Sequence, residues 1–409
     1  MQHKLRGAIG SGTAIVINLL IFTVPLLALV FDWSTFRLAM LISLLGVLAK
    51  VAGITETSRE RPKVITTLAW LAIVMSTLSA YHRDSWGVFH LPIAILLLLP
   101  IFWAARTRGV QIKWAFWGAC GGALLGAIVA LQYGALSGSR NISFFNPIPA
   151  GGIALVLACG SGLALPLKPP RISKAGWTLI CSAGIIAGIF TSLMSGSKAG
   201  WLAIPAAPCV LLFLNWQRLS SREKLRSSTL FLIITVGTLI AVYVSPAWQR
   251  LQSAVHGAVG YAAGSGVTEG SVGPRLELWR YALEHIGRHP LIGVGKDALI
   301  SDFQTLAANG IYAQVLTQLH TMHNEFLHVY MTHGILGLSA MVLVYLSLFR
   351  LSHGHEERAQ ASVSMMAACI AVIYLCLGVG EVALQLRDLR NPFLFWVILL
   401  AAQPRKTRI

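Results

Sequence analysis

The chain has 409 residues, of which 56% are hydrophobic and 11% charged, against about 25% charged in a soluble globular domain. Its apolar residues fall in runs near the roughly 20 residues that cross a bilayer. That pattern excludes a soluble fold and predicts an all-α polytopic membrane protein. The net charge of +17 does not mark a nucleic-acid partner, because the basic residues lie in connections between apolar runs rather than on one soluble face.

Taken in order, the runs predict twelve spans. The first nine are Gly10 to Val30, Phe36 to Ile54, Val64 to Tyr81, Val88 to Ala105, Trp114 to Tyr133, Ile148 to Leu167, Gly176 to Leu193, Gly200 to Leu214 and Leu230 to Val244. After a long polar segment come Phe326 to Phe349, Val363 to Gly380 and Pro392 to Gln403. The chain thus divides into residues 1–245 with spans one to nine, an outer segment 246–325, and residues 326–409 with spans ten to twelve. The first connection, DWSTF, is so short that a re-entrant pair reads similarly. The leading MQHKLRG lacks a small-x-small cleavage site, so the first span reads as retained. All six cysteines fall inside apolar runs without a CxxC pair and read as small buried residues.

Charge sets the orientation. Alternate connections are basic, and with both termini they hold 21 of the 32 Lys and Arg but only 5 of the 15 acids. A basic excess marks the cytoplasmic side, so both ends are expected there. The opposite side keeps the remaining cations, among them Arg83, Arg140, Lys198, Arg275, Arg280, Arg288, Arg387 and Arg390, with a similar number of acids. Cations retained in short outer connections suit an anionic ligand such as a lipid-borne phosphate, for which Arg offers a bidentate fork and Lys a point charge. The plainer reading pairs them with Asp84, Glu277, Asp388 and other outer acids.

Within the long segment, GPRLELWRYALEHIGRHPLIGVG predicts one amphipathic helix. Pro274 suits its first turn. Leu276, Trp279, Leu283 and Ile286 recur on one face. His289-Pro290 ends it, and Gly293-x-Gly295 reads as a turn rather than a phosphate loop. At the boundary with span ten lies LHTMHNEFLHVYMTHGILG. An imidazole at the mouth of a membrane helix is placed for proton transfer near a lipid head group; the plain alternative is that His323 and Asn324 merely cap the helix. If helical from His323, the segment would carry Leu327, Tyr330 and Gly334 on that residue's face, with Gly334 admitting a neighbouring helix. No nearby acid or Cys completes a closed zinc shell with His320, His323, His328 and His333. No DxD, Walker, HExxH or GxSxG motif and no internal repeat is present.

Three segments together resemble the O-antigen ligase/polymerase superfamily of bacterial envelope enzymes. HNEFLHVYMTHGILG is similar to its H-[NS]-x-x-L-x(6)-G-x-x-G signature at His323, Asn324, Leu327, Gly334 and Gly337. PRLELWRYALEHIGRHPLIGVG resembles its R-x(3)-W…P-x-x-G-x-G pattern at Arg275, Trp279, Pro290, Gly293 and Gly295. SGSKAGWLA resembles its S-x-S-R-x-x-W segment, with Lys198 where Arg is usual; charge is kept and the fork is lost. NPIPAGG, after Arg140, is also similar to a ligase segment. The span layout with one large outer loop matches as well.

The resemblance implies an inverting glycosyltransferase whose donor is an O-antigen glycan on undecaprenyl pyrophosphate and whose acceptor is lipid A-core, acting at the periplasmic face of the inner membrane. It implies that Arg275, with Arg140 and Lys198, grips the pyrophosphate, that Arg280, Trp279 and Asn324 join the substrate site, and that His323 takes the acceptor proton, oriented by Asn324 or Glu325. The donor linkage supplies the energy, so no metal, ATP or other cofactor is expected. The related readings are an O-antigen polymerase, which often has two sizeable outer loops, and a protein O-oligosaccharyltransferase, which commonly carries a further soluble domain. A twelve-span transporter or flippase is the rival class. It is disfavoured because the spans are poor in mid-span charge, Glu381 lies near a span end, and the ionisable groups gather at the outer face.

Overall fold

A computed structural model describes residues 2–31, 34–56, 62–137, 146–244, 247–264, 272–352 and 358–403. The chain is all-α. In order the helices are α1 (Gln2–Leu27), α2 (Ser34–Val51), α3 (Lys63–Tyr81), α4 (His90–Leu98), α5 (Ile101–Ala105), α6 (Lys113–Ser137), α7 (Pro147–Leu163) and α8 (Lys174–Ser195). There follow α9 (Lys198–Asn215), α10 (Ser221–Tyr243), α11 (Ala247–Ala262), α12 (Gly273–His285), α13 (Lys296–Ala308), α14 (Glu325–Leu351), α15 (Arg358–Gly380) and α16 (Arg387–Ala401). Among the described residues there is no sheet, only an isolated antiparallel bridge between Thr55 and Thr107.

Among the described residues ten helical stretches are long and apolar enough to cross a membrane, one of them Trp86–Ala105, in which α4 and α5 run on from each other. The sixth and twelfth expected spans are shorter. α7 has 17 residues and α16 has 15. From Pro392 onward α16 is apolar on every side, and it is buried along nearly its whole length, as a helix screened from solvent and lipid by its neighbours should be. α10 is the opposite case: only 6% of its apolar window is buried inside the protein, so its surface is left for lipid.

Connections gather on two faces. The bridge at Thr55 and the bond from Glu56 N–H to the Arg106 carbonyl (2.8 Å) join two of the basic connections. On the other side, Ser85 N–H donates to Asp297 (2.5 Å) and Asp297 N–H to Asp84 (3.1 Å), tying the end of α3 to the start of α13. The α8–α9 turn meets α7 at Gly151 and the end of α15 at Gly380. Residues 247–264 and 272–322 define this second side, the loop face.

The described residues of that segment hold three α-helices where one was expected. The buried side of α12 is also not the predicted stripe. Leu278, Tyr281, Ala282 and His285 are buried, whereas Leu283 is 62% exposed. The reason is chemical: Tyr281 turns inward because its hydroxyl finds Asp302 (2.5 Å), so polar residues occupy a core face that apolar counting overlooks.

The two motif-bearing stretches meet at a break in α14. Gly334 has φ 63° and ψ −164°, which interrupts the helix. Residues 290–295 fill the gap. Val294 N–H donates to Met331 O (2.9 Å), Gly295 N–H to Thr332 O (3.0 Å) and Ile335 N–H to Pro290 O (2.8 Å). The broken ladder is thereby satisfied by backbone from another segment, the condition for irregular chain at membrane depth. Gly334 must be glycine twice over. Its φ is left-handed, and a Cβ there would approach both the Leu291 carbonyl carbon and the Ile292 amide nitrogen closer than any real contact allows. A loop, not a helix, is therefore what approaches Gly334, and Gly293-x-Gly295 is its docking turn.

Candidate functional site

Three chain ends converge on the loop face. α15 stops at Gly380 and leaves Glu381 just beyond its end. α14 starts at Glu325, capped by Asn324, whose Oδ1 accepts from Phe326 N–H and Leu327 N–H (both 3.1 Å). α12 begins with Gly273-Pro274-Arg275. The centre is Glu381, only 7% exposed. His323 Nδ1 lies 3.1 and 3.2 Å from its two carboxylate oxygens, and Arg275 Nη2 lies 3.9 Å away. Val382 N–H also donates to it (3.1 Å).

This geometry assigns the imidazole atoms. Nδ1 faces a carboxylate and carries the proton it donates, so Nε2 of the neutral ring keeps a lone pair. His323 is 26% exposed, enough for a substrate to reach it. It is not helical, contrary to the helical register predicted from this residue. Its φ of 46° is left-handed, which costs an L-residue about 1–2 kcal/mol and is characteristic of side chains held for a task. Trp279 Nε1 donates to the Met322 carbonyl (3.1 Å) and so fixes the residue just before it.

Burial alone would raise the Glu381 carboxyl. The His323 hydrogen bond and charge, the Val382 N–H and the Arg275 guanidinium more than offset that and hold it below the ordinary carboxylate range. Burial pulls the Arg275 guanidinium down, and Glu381 opposes this only in part. At 3.9 Å the two do not share a close hydrogen bond. Arg275 therefore retains donors for a second anion.

Glu325 supports the arrangement from beneath. It is 1% exposed, and its Oε1 accepts from Leu384 N–H (2.7 Å) while Tyr345 OH reaches Oε2 (3.4 Å). It thus shapes the 381–386 turn rather than touching His323 directly. Asn324 Nδ2 adds a long contact to Val379 O (3.4 Å). The hydrogen bonds of Asn324 go to the start of α14 and to Val379, and those of Glu325 to Leu384 and Tyr345; the carboxylate bonded to the imidazole is that of Glu381.

The other expected site residues are placed as follows. Lys198 opens α9, and its neighbour Ala199 packs on Gly380, one residue from Glu381. Arg280 is engaged elsewhere, with Glu277 at 2.8 Å, Glu284 at 3.9 Å and its guanidinium over the Tyr312 ring. Arg140 lies outside the described residues. Two residues escaped the sequence reading. Glu381 gave a signal, as an acid at a span end, but its partner is 58 residues away. Arg250 of α11 lies so close over the Gly196 turn that a Cβ on Gly196 would collide with its guanidinium, which sets a cation beside the turn leading into Lys198. Among the described residues no three His, Cys, Asp or Glu side chains cluster as metal ligands do.

A membrane-embedded bundle with a carboxylate, an imidazole and a guanidinium at one face has the parts of an interfacial acid–base enzyme acting on an anionic substrate. Residues 183–342 match the family model described as O-Antigen ligase, a partial match consistent with that superfamily at large. The matched stretch contains Lys198, Arg275 and His323 but ends before Glu381. The chain is also similar to an uncharacterized protein of Haemophilus influenzae, 26% identical over 71% of this chain and 72% of that one. It is 25% identical to an Escherichia coli protein named "Putative ion-transport protein YfeO" over 58% of this chain and 46% of that protein.

Proposed function

We propose that the chain is an inverting, metal-independent glycosyltransferase that moves O-antigen polysaccharide from undecaprenyl pyrophosphate to lipid A-core. The loop face would then be periplasmic, with both termini cytoplasmic, as the basic connections indicate. The observation that carries this reading is Glu381 gripping His323 Nδ1 beside Arg275.

In the reaction the acceptor hydroxyl oxygen attacks the anomeric carbon, and the bond from that carbon to the phosphate oxygen breaks. The bonding pair leaves with the pyrophosphate. His323 Nε2 takes the hydroxyl proton, and the Glu381 carboxylate stabilises the imidazolium that forms. Arg275, with Lys198, neutralises the charge that grows on the departing pyrophosphate in a site shielded from water. Attack opposite the leaving group inverts the anomeric carbon. Asn324 and Trp279 hold the segment on which His323 sits.

A transporter reading draws on the broken helix α14 and on the resemblance to the named ion-transport protein. The break is, however, filled by backbone of residues 290–295, whereas transporters leave such breaks to coordinate cargo. The test is purified protein with lipid-linked glycan and no membrane gradient. Conjugation to lipid A-core supports the ligase, elongation of the lipid-linked glycan a polymerase, transfer to Ser or Thr of a protein an oligosaccharyltransferase. No transfer to any acceptor, with the donor supplied at saturation, overturns the enzyme reading.

A further inference from the structure

A cavity of about 670 Å³ opens on the loop face between α12, α13 and the end of α3. That volume is within the range of small-molecule sites, roughly 300–1,000 Å³. His323, Arg275 and Glu381 do not line it. The residues that do include Tyr81, His82, Tyr281, His285, Arg288 and Asp302.

Their chemistry alternates donors and acceptors around aromatic faces. His82 Nε2 donates to the Ile292 carbonyl (3.0 Å) and His285 Nδ1 to the Tyr281 carbonyl (2.8 Å). A carbonyl only accepts, so each neutral ring keeps its other nitrogen as an acceptor. Arg288 Nη1 stands 3.7 Å from Asp302 Oδ2 with its side chain 59% exposed, leaving guanidinium donors available. Tyr81, 70% exposed, presents its ring to the cavity with His82 set edge-on against it (centroids 5.2 Å apart), while the buried Tyr281, stacked on His285 at 4.4 Å, forms part of the wall. An apolar tail would leave these polar groups unpaired, and a bare anion would not use the rings. Sugar rings use both, through hydroxyls at their rims and C–H groups on their faces.

The position suits a glycan. Tyr281 and His285 lie six and ten residues beyond Arg275 on α12, about 9 and 15 Å at the helical rise. A saccharide whose reacting end is held at Arg275 reaches the cavity within a few residues. We propose that this cavity is a saccharide subsite that holds pyranose residues remote from the reacting bond, from either the donor or the acceptor glycan. Binding remote from the reacting bond is then available to orient the bond that breaks. The inference rests on the proposed glycosyl transfer for its place in a reaction, but the cavity itself is testable by binding.

The experiment is saturation-transfer difference NMR on purified full-length protein with two free probes, an O-antigen repeat-unit oligosaccharide and a lipopolysaccharide core oligosaccharide. Ser301→Trp, at an exposed position of α13 that lines the cavity, fills it without removing a bond. Arg288→Ala removes a charged donor. We expect at least one probe to bind wild type and to weaken roughly tenfold or more in both variants; the probe that weakens identifies donor or acceptor. Equal binding by wild type and both variants, or no binding of either probe to wild type, overturns the proposal. Transfer by Arg275→Ala is measured alongside. Its loss with unchanged oligosaccharide binding in the cavity variants rejects the subsite alone, and its retention counts against the transferase site while the NMR comparison still decides the cavity.

Discussion

His323 Nδ1 and a Glu381 oxygen lie 3.1 Å apart, although 58 residues separate them. One precedes the start of α14 and the other follows the end of α15. The pair fixes which imidazole nitrogen carries a proton and which is left for chemistry.

Replacing His323 by Ala should reduce transfer by roughly 10²–10⁴-fold, the usual worth of a positioned base. Donor binding should stay within a few-fold, since cations hold the pyrophosphate. Rates at saturating lipid-linked donor, paired with a binding assay, make the comparison; a wild-type rate for the Ala variant removes the base role. Because φ is 46° at this position, His323→Gly should be more stable than His323→Ala by about 1 kcal/mol, while being equally inactive. Thermal unfolding of the two variants checks this.

Glu381→Gln keeps the size and the acceptor but loses the charge that stabilises the imidazolium. Transfer should drop about 10²–10⁴-fold with donor affinity kept. A pH signature accompanies it. The folded carboxyl is held low, so relative to an unfolded value of about 4.3 its contribution to stability is complete above that pH and fades as pH falls through the folded value. The gap in melting temperature between wild type and Glu381→Gln should therefore narrow below about pH 4. A constant gap from pH 7 to pH 3 would show that the charge contributes nothing.

Arg275→Ala should abolish transfer and weaken pyrophosphate-donor binding, with the fold intact, because the side chain contributes charge rather than core packing. Arg275→Lys should recover only part, lacking the planar fork. Near-normal transfer by the Ala variant at matched expression would detach Arg275 from the pyrophosphate.

Lys198→Arg should remain active and Lys198→Ala should not, if the lysine supplies charge to the donor site beside Gly380. An inactive Arg variant together with an active Ala variant would make Lys198 a span-end anchor that snorkels to the interface.

Gly334→Ala should destabilise the protein by more than about 2 kcal/mol, since a left-handed φ and a rigid backbone neighbour both oppose a Cβ. Displacement of residues 290–295 should also lower transfer, although neither segment supplies a reacting group. Limited proteolysis of the 290–295 turn and a melting curve report the two effects; unaltered values for both would mean that the docking is weaker than its hydrogen bonds suggest.

The sequence by itself determined the membrane class, because span length and loop charge are local properties that each run of residues carries alone. It also singled out His323 and Arg275, whose stretches bear recognisable motifs, and Asn324 as a helix cap. Tertiary structure alone decided what those residues face. Glu381 read as an acid at the end of a span until α14 and α15 brought it against His323. Gly334 read as a helix-packing residue, and became the break into which residues 290–295 dock. α13 was legible in principle, with Leu299, Phe303 and Ala307 recurring every four residues, but its polar surroundings masked the period. The buried side of α12 was not legible. Its direction depends on Asp302 waiting across the interface for Tyr281, and apolar periodicity cannot see a hydrogen-bond partner on another helix.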